Sequence, residues 1–452
     1  GISGQRYASD GSPKGSEFQV NTYTTFSQYR PAVAASSSGD FVVVWMSGGS
    51  ASTDVSSYSI QARRYASDGA PLGNQFQVNT YTTNKQFHPA VAVDGEGSFT
   101  VVWASTGSAD SDTSGDSIHL QRYASDGTPL GGEFRVNTFT TGGQGAPSVA
   151  SDAAGDFVIV WDSADQDGNG RGVFGQRYST SGAPLGDEFL VNTTTTSGDQ
   201  DFAAVSSDAQ GNFVVVWNTF SFVPTGGGRR FSSTGEPLGE EFEIPGGYPG
   251  VSFDGTGGFI VVWQAGSPFL DVFAQRFASD GTPRGPAFQV NTYTSYDQKY
   301  PAVASDQYGD FMVVWESVQE DGSNFGIFGR RFDATGAPFG TDFRVNTYTT
   351  QGQYLPTIAS SPIGNVVVTW DSTGEDGTLY GAYGQRFTFV AGDANGDGVL
   401  DVLDVFYLIN ALFAGGSSAL GSADVNGDGI VDVRDVFYLI NFLFAGGPAP
   451  KI

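Results

Sequence analysis

Two stretches of the sequence set oxygen-bearing residues at the spacing that a hard cation requires. Asp393, Asn395, Asp397, the Val399 carbonyl, Asp401 and Asp404 fall at positions 1, 3, 5, 7, 9 and 12 of an acidic loop. Asp424, Asn426, Asp428, the Ile430 carbonyl, Asp432 and Asp435 repeat the pattern 31 residues later. Calcium takes about six to eight oxygens, and a loop of this kind supplies them from those positions. Gly396 and Gly427, between the second and third ligands, permit a sharp turn inside each loop. Acidic turns without metal would not need the full pattern twice, so two bound Ca2+ ions are expected.

No comparable constellation for covalent or acid–base chemistry is present. There is no cysteine to act as a nucleophile or a thiolate ligand. His88 and His119 stand in different repeats. Sister repeats carry Arg30, Tyr300 or Leu355 at the first position, and Phe174, Phe273 or Phe328 at the second. Each histidine therefore reads as an ordinary variable position, and a Ser/His/Asp site is not expected. Acidic pairs recur at one repeat position: Asp165 and Asp167, Glu320 and Asp321, Glu375 and Asp376. Paired carboxylates serve glycoside hydrolysis, but recurrence ahead of a glycine favours a hairpin turn or a weak calcium site. No catalytic residue is assigned, and the expectation is that the chain is not an enzyme.

The elements that carry these residues follow from a repeat. The stretch Gly39-Asp40-Phe41-Val42-Val43-Val44-Trp45 has seven versions, ending at Trp45, Trp103, Trp161, Trp217, Trp263, Trp315 and Trp370. The Trp-to-Trp intervals run from 46 to 58 residues, which signals a repeat architecture. Each period holds four short runs rich in Val, Phe, Thr and Tyr, divided by turn residues such as Ser67-Asp68-Gly69. The VVVW runs are apolar on both faces, so both faces of each sheet must be covered. Four-stranded sheets stacked around an axis achieve this, and a seven-bladed β-propeller over 1–390 is predicted. A β-solenoid or a string of sandwiches is the rival. The Gln-Arg-aromatic strand occurs eight times, with Arg6, Arg64, Arg122, Arg177, Arg230, Arg276, Arg331 and Arg386, so one terminal copy is surplus. It caps a blade edge or pairs with a neighbouring molecule. The recurring arginine is expected to hold blade carboxylates or carbonyls. The repeat around Glu241-Phe242-Glu243-Ile244-Pro245 departs from the pattern and lacks the NTYTT tail.

After residue 390 the composition changes. Each acidic loop is followed by a helical run, VFYLINALFAGG and VFYLINFLFAGG, apolar nearly all round. No helix precedes either loop, and the closing residue is Asp. This doubled loop-and-helix resembles a type I dockerin module, over 391–452. The resemblance implies a small α-helical, calcium-binding module that docks on a cohesin-like partner. It also implies partner choice at loop positions 10 and 11, here Val402-Leu403 and Val433-Arg434. The repeats before it resemble those of large secreted and surface proteins of bacteria, which implies an extracellular location.

With 48 acidic and 21 basic residues the net charge is −27, which excludes a basic footprint for nucleic acid and disfavours an anionic membrane. No apolar run approaches the ~20 residues of a membrane span. The start at Gly1-Ile2-Ser3 suits a chain whose leader has been removed. The predicted fold is all-β, a seven-bladed propeller with a small helical C-terminal module. The expected function is a non-catalytic extracellular assembly protein, its calcium-loaded module binding a cohesin-like protein or another copy of itself as a homo-oligomer or filament. The alternative is a glycan-binding propeller, or a carbohydrate-active enzyme, tethered to a cohesin scaffold, with Phe220, Phe222 and Tyr380 as loop aromatics.

Overall fold

A computed structural model of the protein describes residues 4–7, 13–49, 54, 57–107, 115–194, 198–220, 225–362, 364–374, 380–387, 400, 402–413, 425 and 432–448. The repeats form seven sheets around a common axis, six with four strands and one with five. Blade 1 consists of Gln28–Ala35, Phe41–Gly48, Tyr58–Tyr65 and Phe76–Gln77, and blades 2 to 6 follow in chain order. The first strands of all seven blades line the central channel.

Burial explains the repeat. The second strand is buried along nearly its whole length, because blades press on both of its faces. All seven tryptophans are at most 4% exposed. At the far end of the same strand an aromatic ring stacks on the ring closing the third strand. Phe41 on Tyr65, Phe99 on Tyr123 and Phe213 on Phe231 all have centroids 4.8–4.9 Å apart.

Polar residues of the repeat tie one blade to the next. The third-strand arginine donates to a carbonyl in the following blade's turn: Arg64 to Asp126, Arg122 to Thr180, Arg177 to Thr234, Arg230 to Ser279 and Arg276 to Thr335. The expected structural role of this arginine is thereby met through carbonyls. The threonine of the Asn-Thr pair donates its N–H to an acidic side chain one blade on, Thr80 to Glu133 at 2.5 Å and Thr138 to Glu188 at 2.8 Å. These bonds account for the Glu-Phe-x-Val-Asn-Thr wording of the repeat.

Blade 7 closes the ring with both ends of the repeat region. Its strands Gln353–Ser360, Val366–Ser372 and Gly381–Phe387 occupy the usual first three places. The N-terminal Gly4–Tyr7 then adds in parallel, and Pro13–Phe18 pairs with it antiparallel. Like residues face each other, Gln5 opposite Gln385 and Arg6 opposite Arg386. The surplus strand is thus the N-terminal one, and it pairs within its own chain rather than with a neighbouring molecule.

Beyond the propeller, two helices are described, α1 (Val402–Phe413) and α2 (Val433–Ala445). They share a core of Val405, Leu408, Val425, Val436 and Leu439. Both begin inside the predicted loops, three residues before the apolar run. No described helix is long and apolar enough to cross a membrane.

Candidate functional site

At one end of the channel every first strand carries a bulge, where its register against the second strand shifts. The bulged residues are Arg30, His88, Ala146, Phe202, Tyr248, Tyr300 and Leu355, all with φ between 43° and 52°. Six of them precede a proline: Pro31, Pro89, Pro147, Pro249, Pro301 and Pro356. Proline suits a strand with an unpaired edge and a bulge, since it offers no N–H. Yet it drives the residue before it towards extended conformations, and a non-glycine at positive φ costs on the order of 1–3 kcal/mol. Surrounding contacts must hold this conformation seven times.

Part of that hold is visible. In four blades the residue after the tryptophan reaches the bulge of the next blade. Arg30 N–H donates to Asp371 Oδ1 at 2.8 Å, Tyr248 N–H to Asn218 Oδ1 at 3.1 Å, Tyr300 N–H to Gln264 Oε1 at 2.8 Å and Leu355 N–H to Glu316 Oε1 at 2.5 Å. Met46 and Ala104 stand at the same place in blades 1 and 2 and have no acceptor to give His88 and Ala146. In blade 3, Asp162 pairs instead with Arg171. Burial pushes Glu316 up to about 7, against the pull of the Leu355 N–H and Lys299. Asp371, fully buried, is raised well above the carboxylate range by the same cause.

The bulges converge on a cavity of about 340 Å³. Phe202, Tyr248 and Tyr300 form an aromatic arc, with Tyr248 centred 5.6 Å from Phe202 and 5.0 Å from Tyr300. Arg30 and His88 stand on blades 1 and 2, across the ring. Burial, then the Arg30 charge, lowers His88 to about 4, so its imidazole is neutral at physiological pH. Aromatic faces with a few convergent polar groups are the makings of a small-molecule site.

Sequence reasoning missed this arrangement. It read His88 as an ordinary variable position, and the structure instead puts it on the cavity wall. His119 is a buried strand residue, near Ser117 Oγ at 3.1 Å and Glu133 at 3.2 Å. The acidic pairs are turns where described, with Asp167 and Asp321 accepting the N–H two residues on. Glu375, Asp376 and Phe222 lie outside the described residues. Phe220 is exposed and meets Tyr248 edge-on at 6.4 Å, and Tyr380 packs near Tyr29 and Tyr354. A signal was present: the residue before each first-strand proline varies while its surroundings do not.

Of the predicted calcium ligands, Asp393, Asn395, Asp397, Val399, Asp401, Asp424, Asn426, Asp428 and Ile430 lie outside the described residues. Asp404 and Asp435, which close the two loops, are fully buried in the first turns of α1 and α2. A carboxylate withdrawn from water needs compensating charge or hydrogen bonds, and the same place is used in both repeats, as a cation site there requires. Asp432 caps α2, accepting from Arg434 N–H at 2.7 Å, while Asp435 accepts from Asp432 N–H at 2.8 Å. Among the described residues no three acidic or histidine side chains cluster as metal ligands. Phe406, Phe413, Phe437 and Phe444 are 60–66% exposed, so the two helices leave an apolar surface uncovered.

No curated protein matches the sequence. Similar solved structures include a protein of unknown function from Dyadobacter fermentans, at 10% identity over 66% of this chain and 93% of that one, with a TM-score of 0.47. An α-L-arabinanase of Penicillium chrysogenum complexed with arabinobiose is 13% identical over 80% and 94%, with a TM-score of 0.46. An α-L-arabinofuranosidase of Fusarium graminearum is 11% identical over 70% and 92%, with a TM-score of 0.46. At such identities the likeness concerns the fold and assigns no reaction to this chain. It does correct the expectation that the chain is not an enzyme, because that expectation rested on a missing Ser/His/Asp set and the similar structures include glycoside hydrolases. Residues 391–444 match the model of the dockerin type I domain, so the chain carries a calcium-binding, protein-docking module of that family after a seven-bladed propeller.

Proposed function

We propose that this is an extracellular, carbohydrate-directed propeller held on a cohesin partner by its dockerin, with the channel mouth as the carbohydrate site. The observation that carries the reading is the aromatic arc of Phe202, Tyr248 and Tyr300 over a cavity of about 340 Å³. Sugar rings present C–H faces that pack on aromatic rings, and their hydroxyls take hydrogen bonds from polar groups at the rim. The chain divides near residue 390. Asp393, Asn395, Asp397, Val399, Asp401 and Asp404 hold one Ca2+, and Asp424, Asn426, Asp428, Ile430, Asp432 and Asp435 hold the other. The ions would tie each loop to the first turn of its helix, where Asp404 and Asp435 are buried.

The test is a polysaccharide panel scored for both binding and release of sugars, with Tyr248→Ala and Tyr300→Ala beside the parent. Binding or turnover that falls in both variants supports the reading, and a folded parent inert on the whole panel sinks it. Capture by a panel of cohesin modules, with calcium and then with chelator, tests the docking half. A second reading, self-association through the dockerin, keeps one observation. The exposed Phe406 and Phe413 of α1 correspond by internal duplication to Phe437 and Phe444 of α2. Sedimentation with calcium and then chelator decides it, since a calcium-dependent large assembly is its requirement.

A further inference from the structure

We propose that the channel mouth selects an acidic sugar, one bearing a carboxylate or a sulfate ester, and that Arg30 is the group that recognises the anion. This rests on the carbohydrate reading above and goes further, to the class of ligand.

Among the described residues Arg30 is the one charged residue on the cavity wall, and no aspartate or glutamate lines it. In a protein of net charge −27, an arginine at a cavity would be expected to have a carboxylate partner. The Arg30 guanidinium makes no hydrogen bond or ion pair with the described residues, although its N–H is bound to Asp371. Asp371 accepts the backbone N–H of Arg30 rather than its guanidinium, and burial raises its carboxyl well above the usual carboxylate range. Third-strand arginines of five blades, by contrast, donate to carbonyls. Arg30 alone of the bulge residues is a fixed cation, held on a backbone whose conformation all seven blades share.

Its neighbour strengthens the assignment. His88 Nδ1 is buried in the cavity wall without a partner. A buried imidazole left half satisfied costs free energy unless a ligand or water completes it. The two polar groups stand on adjacent blades, across the ring from the aromatic arc. An acidic pyranose fits this division, with its ring over Tyr248 and Tyr300, its anion at Arg30 and a hydroxyl at His88. Guanidinium meets carboxylate and sulfate alike in a bidentate geometry, so the chemistry of Arg30 does not separate them.

The full chain is titrated with oligosaccharides of uronic acids, their carboxyl-reduced counterparts, sulfated oligosaccharides and neutral arabino- and xylo-oligosaccharides. Preference for an acidic set is expected, weakened on the order of 10- to 100-fold in Arg30→Gln and less in Arg30→Lys. Loss of binding on carboxyl reduction identifies the carboxylate source; binding confined to the sulfated set identifies the ester. Circular dichroism and melting of both variants separate loss of the ligand from loss of the fold. Neutral sugars bound as tightly as acidic ones, with Arg30→Gln unchanged, overturn the inference and leave the carbohydrate reading standing. No binding by any set to folded protein overturns both.

Discussion

The two ends of the channel use the same seven strands in opposite ways. At the turn end, Asp94, Asp152, Asp208, Asp254 and Asp306 recur at one position. Each accepts the N–H groups two and four residues ahead, as Asp208 does from Gln210 and Asn212, both at 2.9 Å. That end has a cavity too, about 430 Å³, but its aspartates are occupied by their own turns. At the mouth the backbone repeats instead, while the side chains run Arg, His, Ala, Phe, Tyr, Tyr, Leu. Repetition of side chains marks residues that build the blade. Variation on a fixed backbone marks positions released from that duty and free to meet a ligand.

Breaking the shared core should damage both ends together. Trp161→Ala is expected to cost about 3–5 kcal/mol, read by denaturant unfolding, because the ring is fully buried between blades. Part of the pH response should come from beneath the mouth. Glu316 has its folded pKa raised to about 7, so the folded state holds the proton more tightly than the unfolded chain. Its contribution to stability is therefore greatest below the unfolded value and declines as pH rises through about 7, by up to roughly 3 kcal/mol. Glu316→Gln, which keeps an acceptor for Leu355, should make the stability curve less steep between about pH 5 and 7, while Asp201, Glu320 and Asp310, also raised by burial, go on titrating there. An unchanged slope would show that Glu316 is ionised in the fold.

At the turn end, Asp208→Ala should lower stability by about 1–2 kcal/mol by leaving two turn N–H groups without their acceptor, with no effect on ligand binding. Tyr300→Ala should do the reverse, weakening saccharide binding about tenfold with a stability change under ~1 kcal/mol, since its ring is part exposed. If Asp208→Ala impaired binding as much as Tyr300→Ala, the division of labour between the ends would be wrong. Chelation of calcium should melt the helical signal of the C-terminal module and abolish cohesin capture, leaving the sheet signal intact.

Sequence alone determined the elements whose information is local or repeated. Seven tryptophan strands count the blades, because a strand apolar on both faces has few places to go. Two acidic loops at a regular ligand spacing pointed to calcium, and the dockerin type I match over 391–444 covers both of them. The arginine of the repeat was legible as structural, although not that it reaches into the following blade, and the part played by the threonine and glutamate was not. The tertiary structure alone decided which variable residues meet. Arg30 and Tyr300 are 270 positions apart and share a wall only because the ring closes. Nothing in a single repeat tells its residue before proline that six counterparts will face it. The place of the N-terminal strand was equally invisible. Gly4–Tyr7 and Gly381–Phe387 carry nearly the same text, and only assembly of blade 7 gave the third place to Gly381–Phe387 and the place beyond it, between that strand and Pro13–Phe18, to Gly4–Tyr7.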